Sequence, residues 1–223
     1  MKLLAFDTAT EACSAALWLD GEVHERFELG TRHAERLLSM IDELVAEAGI
    51  ALSAVDAIAF GRGPGSFTGL RIGAGVAQGL AFGADLPVVP VSSLAALAQG
   101  VDAPQVLAAF DARMQQVYWG AFARGGDGVV DLRGSEIVSD PAGVPMPQGQ
   151  GWVGAGPGWD AYPEGLLTRI GSQLSDWRRA QFPLARHVAV LGARDFRTGN
   201  ALAPELAVPV YIRDDVAAKP KRA

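Results

Sequence analysis

Apolar and polar positions alternate sharply at the start of the chain. Leu3-Leu4-Ala5-Phe6 is a short apolar run that ends at Asp7-Thr8-Ala9-Thr10, and residues 14–19 and 22–29 are strand-like runs parted by Asp20-Gly21. Asp-Gly between two such runs predicts a hairpin, because a type I′ turn needs positive φ at both central residues. Three consecutive antiparallel strands follow from this pattern. Thr31 is placed to cap the next helix. Ala34, Leu37, Leu38, Ile41, Leu44, Val45 and Ala48 keep the spacing of a buried helical stripe, with Arg36, Met40, Glu43 and Glu47 opposite and Gly49 as the stop. A fourth strand over 54–60 enters the glycine-rich run 61–69, a helix follows over 69–83, a fifth strand over 86–91 and a short helix over 92–98. This first half is a βββαβαβ unit.

The second half starts near Pro104. Residues 105–111, 116–123 and 129–138 read as strands, and 141–158 as loop with a strand at 152–154. Amphipathic helices are predicted over 162–170 and 184–197, ahead of the basic tail Lys219-Pro220-Lys221-Arg222. The chain is thus expected to be α/β, with an amino-terminal lobe at 1–103 and a carboxyl-terminal lobe at 104–223.

Composition narrows the function classes. Of 223 residues, 49% are apolar and 20% charged, enough for a substantial core. The formal charge of −6 opposes a protein that grips nucleic acid unaided, since phosphate contacts need clustered cations. One cysteine, Cys13, excludes a disulfide framework and any multi-cysteine zinc site. No run reaches the ~18 apolar residues of a membrane span. Asp7 interrupts any signal-peptide core, so a soluble, cytoplasmic protein is expected.

Three segments invite chemistry. Asp7-Thr8-Ala9-Thr10, at the end of the first strand, has the form of an actin- or sugar-kinase-type phosphate loop, and equally of an Asx turn closing a hairpin. Asp111 repeats the position of Asp7 in the second half; it suits an interdomain cleft or a turn salt bridge with Arg113. GRGPGSFTGLRIGAG, 61–75, is neither a Walker loop nor a dinucleotide fingerprint, because the Gly-Lys-Ser/Thr and the spaced acidic partner are missing. The Gly154-Ala155-Gly156-Pro157-Gly158 run suits a worn adenosine-side loop or an ordinary turn. His24, His33 and His187 form no ligand pair, so no metal site is expected.

The helix after the glycine loop makes a sharper point. Each interior glycine costs a helix about 1 kcal/mol relative to alanine. Gly75, Gly79 and Gly83 recur at four-residue spacing and smooth one face. That face fits the protein's own sheet or first helix, or the helix of a partner.

DTAT, RHAERLLSMIDELV, GRGPGSFTGLRIGAGVAQGLAFG, PVVPVSSLAAL, DARMQQVYWGAF and PVYIR together resemble the TsaB family, also called YeaZ. The match covers most of the first lobe and landmarks of the second. The resemblance implies an actin-like ATPase fold (the sugar-kinase/Hsp70/actin class) of two related βββαβαβ lobes with mixed sheets. It implies a non-catalytic subunit in N6-threonylcarbamoyl-adenosine formation in tRNA, on the adenosine beside the anticodon. The paralogue TsaD carries the transfer and the ATPase TsaE joins them, with tRNA met only within the complex and no cofactor of the chain's own. The paralogue's metal-binding His pair falls at Ser93 and Leu97 here, and neither suits iron or zinc. The interface implied is a two-helix face of His33, Leu37, Met40, Phe67, Leu70, Arg71, Gly75 and Gly79. The same face suits a homodimer when TsaD is absent. Asp7, Thr8, Thr10 and Asp111 are then a vestigial nucleotide cleft. The rival reading is an autonomous sugar-kinase-like phosphotransferase using Asp7 and Asp111.

Overall fold

The first thirty residues fold as a meander of β1 (Lys2–Asp7), β2 (Ala12–Leu19) and β3 (Glu22–Leu29) in the computed structural model, which describes residues 1–30 and 32–213. Asp20 and Gly21 take φ of 51° and 106°, as the predicted hairpin turn requires. Helix α1 (His33–Ala48) then leads to β4 (Ala57–Gly63), and α2 (Phe67–Ala84) to β5 (Val88–Ser92). The sheet order is β3-β2-β1-β4-β5, with β1, β4 and β5 parallel. The helix α3 (Ser93–Gln99) ends this half.

The second sheet repeats the topology. Strands β6 (Gln105–Asp111), β7 (Val117–Arg124) and β8 (Val130–Ser139) form the meander, and β9 (Trp152–Ala155) and β10 (Leu174–Arg178) add parallel neighbours. Its order is β10-β9-β6-β7-β8. The repeat is incomplete in one respect. Where α1 stands in the first half, the second has a 3-10 turn (Pro141–Gly143) and a loop rich in Pro and Gly, residues that oppose a helix. Helices α4 (Pro157–Ala161) and α5 (Pro163–Ile170) fill the second crossover. The loop expected over 141–158 runs into α4, and β10 is not expected from the sequence, because its residues are mostly half-buried or exposed at the sheet edge and so lack a clear period.

Period-2 alternation divides the strands between three cores. Leu3, Ala5, Ala57, Ala59, Val106, Ala108 and Phe110 face a central core shared by both sheets. Leu4, Phe6, Ile58 and Phe60 point the other way, onto α1 and α2. Leu107, Ala109, Trp119 and Trp159 build the outer core of the second sheet with α4 and α5. Full burial of a Phe such as Phe6 or Phe60 is worth about 1.5–3 kcal/mol. The layers therefore run helix, sheet, helix, sheet, helix.

The central helix layer holds α3 and α6 (Ala185–Arg197). Helix α6 follows the second sheet in sequence yet packs on β1, β2, β4 and β5. Gly192 permits this, since a Cβ there would come within 2.6 Å of the Ala59 Cβ. Beyond α6 a strap, interrupted by a 3-10 turn at Pro204–Leu206, crosses the first half. Leu202 pairs with Val88, and the Val210 N–H donates to the Arg62 carbonyl at 2.8 Å. The expected cap Thr31 and the basic tail 219–222 lie outside the described residues.

Candidate functional site

The acidic turn after β1 is closed by the chain itself. Asp7 is 1% exposed and Thr8 fully buried. One Asp7 carboxylate oxygen accepts from the Ala9 N–H at 2.8 Å and the other from the Ser93 hydroxyl at 2.6 Å. Burial pushes the Asp7 pKa up to about 6, and the bonds from Ser93 and Ala9 pull against that rise. The Thr8 hydroxyl donates to the Gly69 carbonyl at 2.8 Å, and the Ser66 N–H to the Ala9 carbonyl at 2.7 Å. The loop 61–69 thus lies directly on the turn. A Cβ at Gly61 would overlap the Asp7 carboxylate, one at Gly65 the Ala9 carbonyl, and one at Gly69 the Thr8 carbonyl. These glycines exist for close approach within the chain.

Thr10 and Asp111 are also engaged locally. The Thr10 hydroxyl accepts from the Ala12 N–H at 3.2 Å. Asp111 accepts from the Arg113 N–H at 2.8 Å and the Tyr162 hydroxyl at 3.0 Å, and pairs with the Arg113 guanidinium at 3.1 Å. Asp7 and Asp111 therefore share one Asx-turn pattern, the mark of a duplicated unit. Asp7, Thr8, Thr10 and Asp111 are thus all held by hydrogen bonds within the protein. An open depression of about 830 Å³ lies on the second lobe beside Met114, Asp140, Tyr162 and Glu164, and neither it nor a smaller one of about 320 Å³ is lined by Asp7, Thr8, Thr10 or Asp111. Gly156 and Gly158 pack on the Ala109 backbone, so the 154–158 run is likewise filled by the protein. Ser93 is spent on Asp7, and Leu97 is 1% exposed in the central core. Among the described residues no group of three or more His, Cys, Asp or Glu is placed to hold a metal ion.

Helix α2 presents the opposite situation. The Ser66 side chain caps it by accepting from the Gly69 N–H at 3.4 Å. Its inner face is Gly69, Leu70, Gly73, Ala74, Ala77 and Ala81, with the Gly73 Cβ position 2.7 Å from the Thr8 hydroxyl oxygen. Its outer face carries Phe67, Arg71, Gly75, Gly79, Phe82 and Gly83, all exposed. At Gly75, Gly79 and Gly83 a Cβ would meet nothing within 4 Å. Nothing in the described fold asks for glycine there. The smooth stripe faces outward, away from the chain's own sheet and first helix.

Several residues assigned to this face from sequence are not on it. Leu37, Met40 and Leu70 are 0%, 2% and 1% exposed and belong to the core beneath the helices. His33 is also buried, its Nε2 2.8 Å from the Thr10 carbonyl. They support the face rather than form it. Leu38, read as buried, is 45% exposed, and Met40, read as outward, is inward. The true inner stripe of α1 is His33, Leu37, Met40, Ile41 and Leu44.

One residue of the face escaped the periodicity reading. The Arg71 guanidinium lies 3.7 Å from the centre of the Phe67 ring, and its Nε donates to the Tyr211 hydroxyl at 3.1 Å. Phe67 and Tyr211 have ring centres 5.6 Å apart. Tyr211 comes from the strap, 140 positions away. Only the PVYIR resemblance carried a signal for it.

Two sheets of one topology, with helices between and outside them, make this an actin-like ATPase fold. The family model described as "TsaD: tRNA N6-adenosine threonylcarbamoyltransferase" matches residues 27–151. The chain is 45% identical to the tRNA threonylcarbamoyladenosine biosynthesis protein TsaB of Escherichia coli, over 98% of this chain and 97% of that one. It is 41% identical to the TsaB of Haemophilus influenzae, over 97% and 95%. The solved structure of YeaZ from Pseudomonas aeruginosa superposes with a TM-score of 0.87 at 46% identity, covering 94% of this chain and 99% of that one. The chain belongs to the TsaB family, also called YeaZ.

Proposed function

We propose that the chain is a non-catalytic subunit in the formation of threonylcarbamoyladenosine in tRNA. It acts by binding a TsaD-type threonylcarbamoyltransferase through the outer face of α1 and α2, with the ATPase TsaE completing the assembly. The observation that carries this reading is the bare backbone at Gly75, Gly79 and Gly83, which leaves room for another helix at close range. Phe67 and Phe82, 53% and 61% exposed, flank the stripe with apolar surface, and Leu38 adds to it from α1. A match of the TsaD family model to residues 27–151 supports a partner with a similar lobe, so that two like faces meet about an approximate two-fold axis. In the absence of that partner, two copies of this chain pair through the same face.

The sealed acidic turn supports the accessory role. A phosphotransferase needs its acid beside an open phosphate site, whereas both Asp7 oxygens here are bonded inside the protein. The test is co-purification with tagged TsaD, followed by reconstitution of the tRNA modification with and without this chain. Gly75→Leu or Gly79→Leu is expected to abolish both binding and support of the modification, with the far-UV circular dichroism unchanged. Full binding by both variants refutes the assignment.

A further inference from the structure

We infer that the partner's footprint continues past α1 and α2 onto the strap 202–211, with the Arg71–Phe67–Tyr211 cluster as its energetic centre. The inference rests on the reading of α2 as the docking face and extends it to residues no helix-level description includes.

The course of the strap carries the first part of the case. Leu202 exchanges two backbone hydrogen bonds with Val88, at 2.8 and 2.9 Å, just beyond the carboxyl-terminal end of α2. Eight residues later Val210 bonds to Arg62, just ahead of the amino-terminal end of α2. The strap therefore runs antiparallel along the flank of the glycine helix. It is anchored from below by Ala207, 1% exposed in the core under α2. Apart from the exposed Glu205, its outward side chains include three large apolar or aromatic ones: Leu206 is 52%, Val208 54% and Tyr211 44% exposed. Backbone bonds and Ala207 hold the strap, and of these three side chains Tyr211 alone is engaged, by Arg71 and Phe67.

Continuity with the glycine stripe carries the second part. Arg71 is the first member of the four-residue series Arg71, Gly75, Gly79, Gly83. A helix about 10–12 Å across, seated on that series, passes over Arg71 and meets the ring bonded to it. Arg71 is already ordered, stacked on Phe67 and tied through Nε to Tyr211, so little side-chain entropy is lost on binding. Arginine and tyrosine in a preset cluster are the residue types that dominate interface energetics. Among the described residues the terminal guanidinium nitrogens of Arg71 make no hydrogen bond. The partner helix is expected to bring apolar residues to Val208 and Leu206 and a carboxylate or helix-end carbonyl to Arg71.

The test measures the affinity of full-length chain for purified TsaD-type transferase by titration calorimetry. Tyr211→Ala and Val208→Asp are expected to weaken it by about tenfold or more, and Tyr211→Phe, which keeps the ring, by much less. Both altered side chains are exposed, and an unchanged thermal midpoint confirms an intact strap. If Gly79→Leu abolishes binding while Tyr211→Ala and Val208→Asp stay within about twofold of the parent, the footprint ends at the helices and this inference is overturned. If Gly79→Leu also binds normally, the docking face itself is misassigned.

Discussion

Removing the outward glycines gives the most discriminating experiment. A Cβ added at Gly75 or Gly79 meets no atom within 4 Å, and neither residue has positive φ. The double variant Gly75→Ala/Gly79→Ala therefore gains helix propensity, about 1 kcal/mol at each site, with no opposing clash. The gain near 2 kcal/mol corresponds to a rise of about 4–8 °C in thermal midpoint for a chain of this size. Partner affinity should move the other way, because two methyl groups now hold the facing helix off the backbone. Chemical denaturation and calorimetric titration against the transferase read the two quantities on one preparation. Loss of stability would show that the glycines serve the chain's own packing. A stabilised variant with undiminished affinity would show that the stripe is not where the partner sits. Only opposite signs satisfy the assignment.

Other expectations follow from the same geometry. Gly69→Ala, two turns before Gly75 on the buried side, drives a methyl into the Thr8 carbonyl and should destabilise by several kcal/mol, seen as a lower denaturant midpoint. Leu37→Ala should cost about 2–5 kcal/mol of stability, and a smaller loss would mean that Leu37 is not the core residue its burial indicates. Asp7→Asn should leave support of tRNA modification intact, and loss of activity in a folded variant would restore a chemical role to the acid. The same variant reports on pH. With Asp7 raised from 3.8 to about 6, its contribution to stability grows as pH falls through that window; His187, pushed down from 6.5 to about 4 chiefly by burial, takes stability away over nearly the same window. The two oppose each other at about 3 kcal/mol apiece, so Asp7→Asn should unmask a loss of stability between pH 6.5 and 4 that the parent chain lacks.

What was legible in the sequence follows from which forces are local. The Asp20-Gly21 hairpin, the order of elements along the first lobe and the amphipathic α6 are written in turn chemistry and apolar period, and they appear in the structure. The stripe of α1 is legible at Leu37, Ile41 and Leu44 but not at Leu38 and Met40, because Leu37, Leu38, Met40 and Ile41 are all apolar and period alone cannot choose among adjacent positions. The return of α6 to the first sheet is a long-range packing event that only Gly192, pressed against Ala59, betrays. Phe67 and Arg71 share one helix and fall within a single window, but Tyr211, 140 residues on, joins them only through the course of the strap.

The glycines of α2 and its loop divide into two sets with different causes, and the division links the two halves of the site. Gly61, Gly65, Gly69 and Gly73 let the loop and the first turns of the helix press onto Asp7, Thr8 and Ala9. That contact packs the acidic turn against the loop, and it fixes the orientation of the helix through the Thr8–Gly69 and Ser66–Ala9 bonds. Gly75, Gly79 and Gly83 then lie on the outside of a helix whose rotation is already determined. A docking surface built from bare backbone tolerates little rotational error, because a turn of one residue would bring Ala74 or Val76 to the front. Closing the acidic turn and presenting the smooth stripe are on this view one structural device. The residues that press onto Asp7, Thr8 and Ala9 are the ones that hold the proposed docking helix in register.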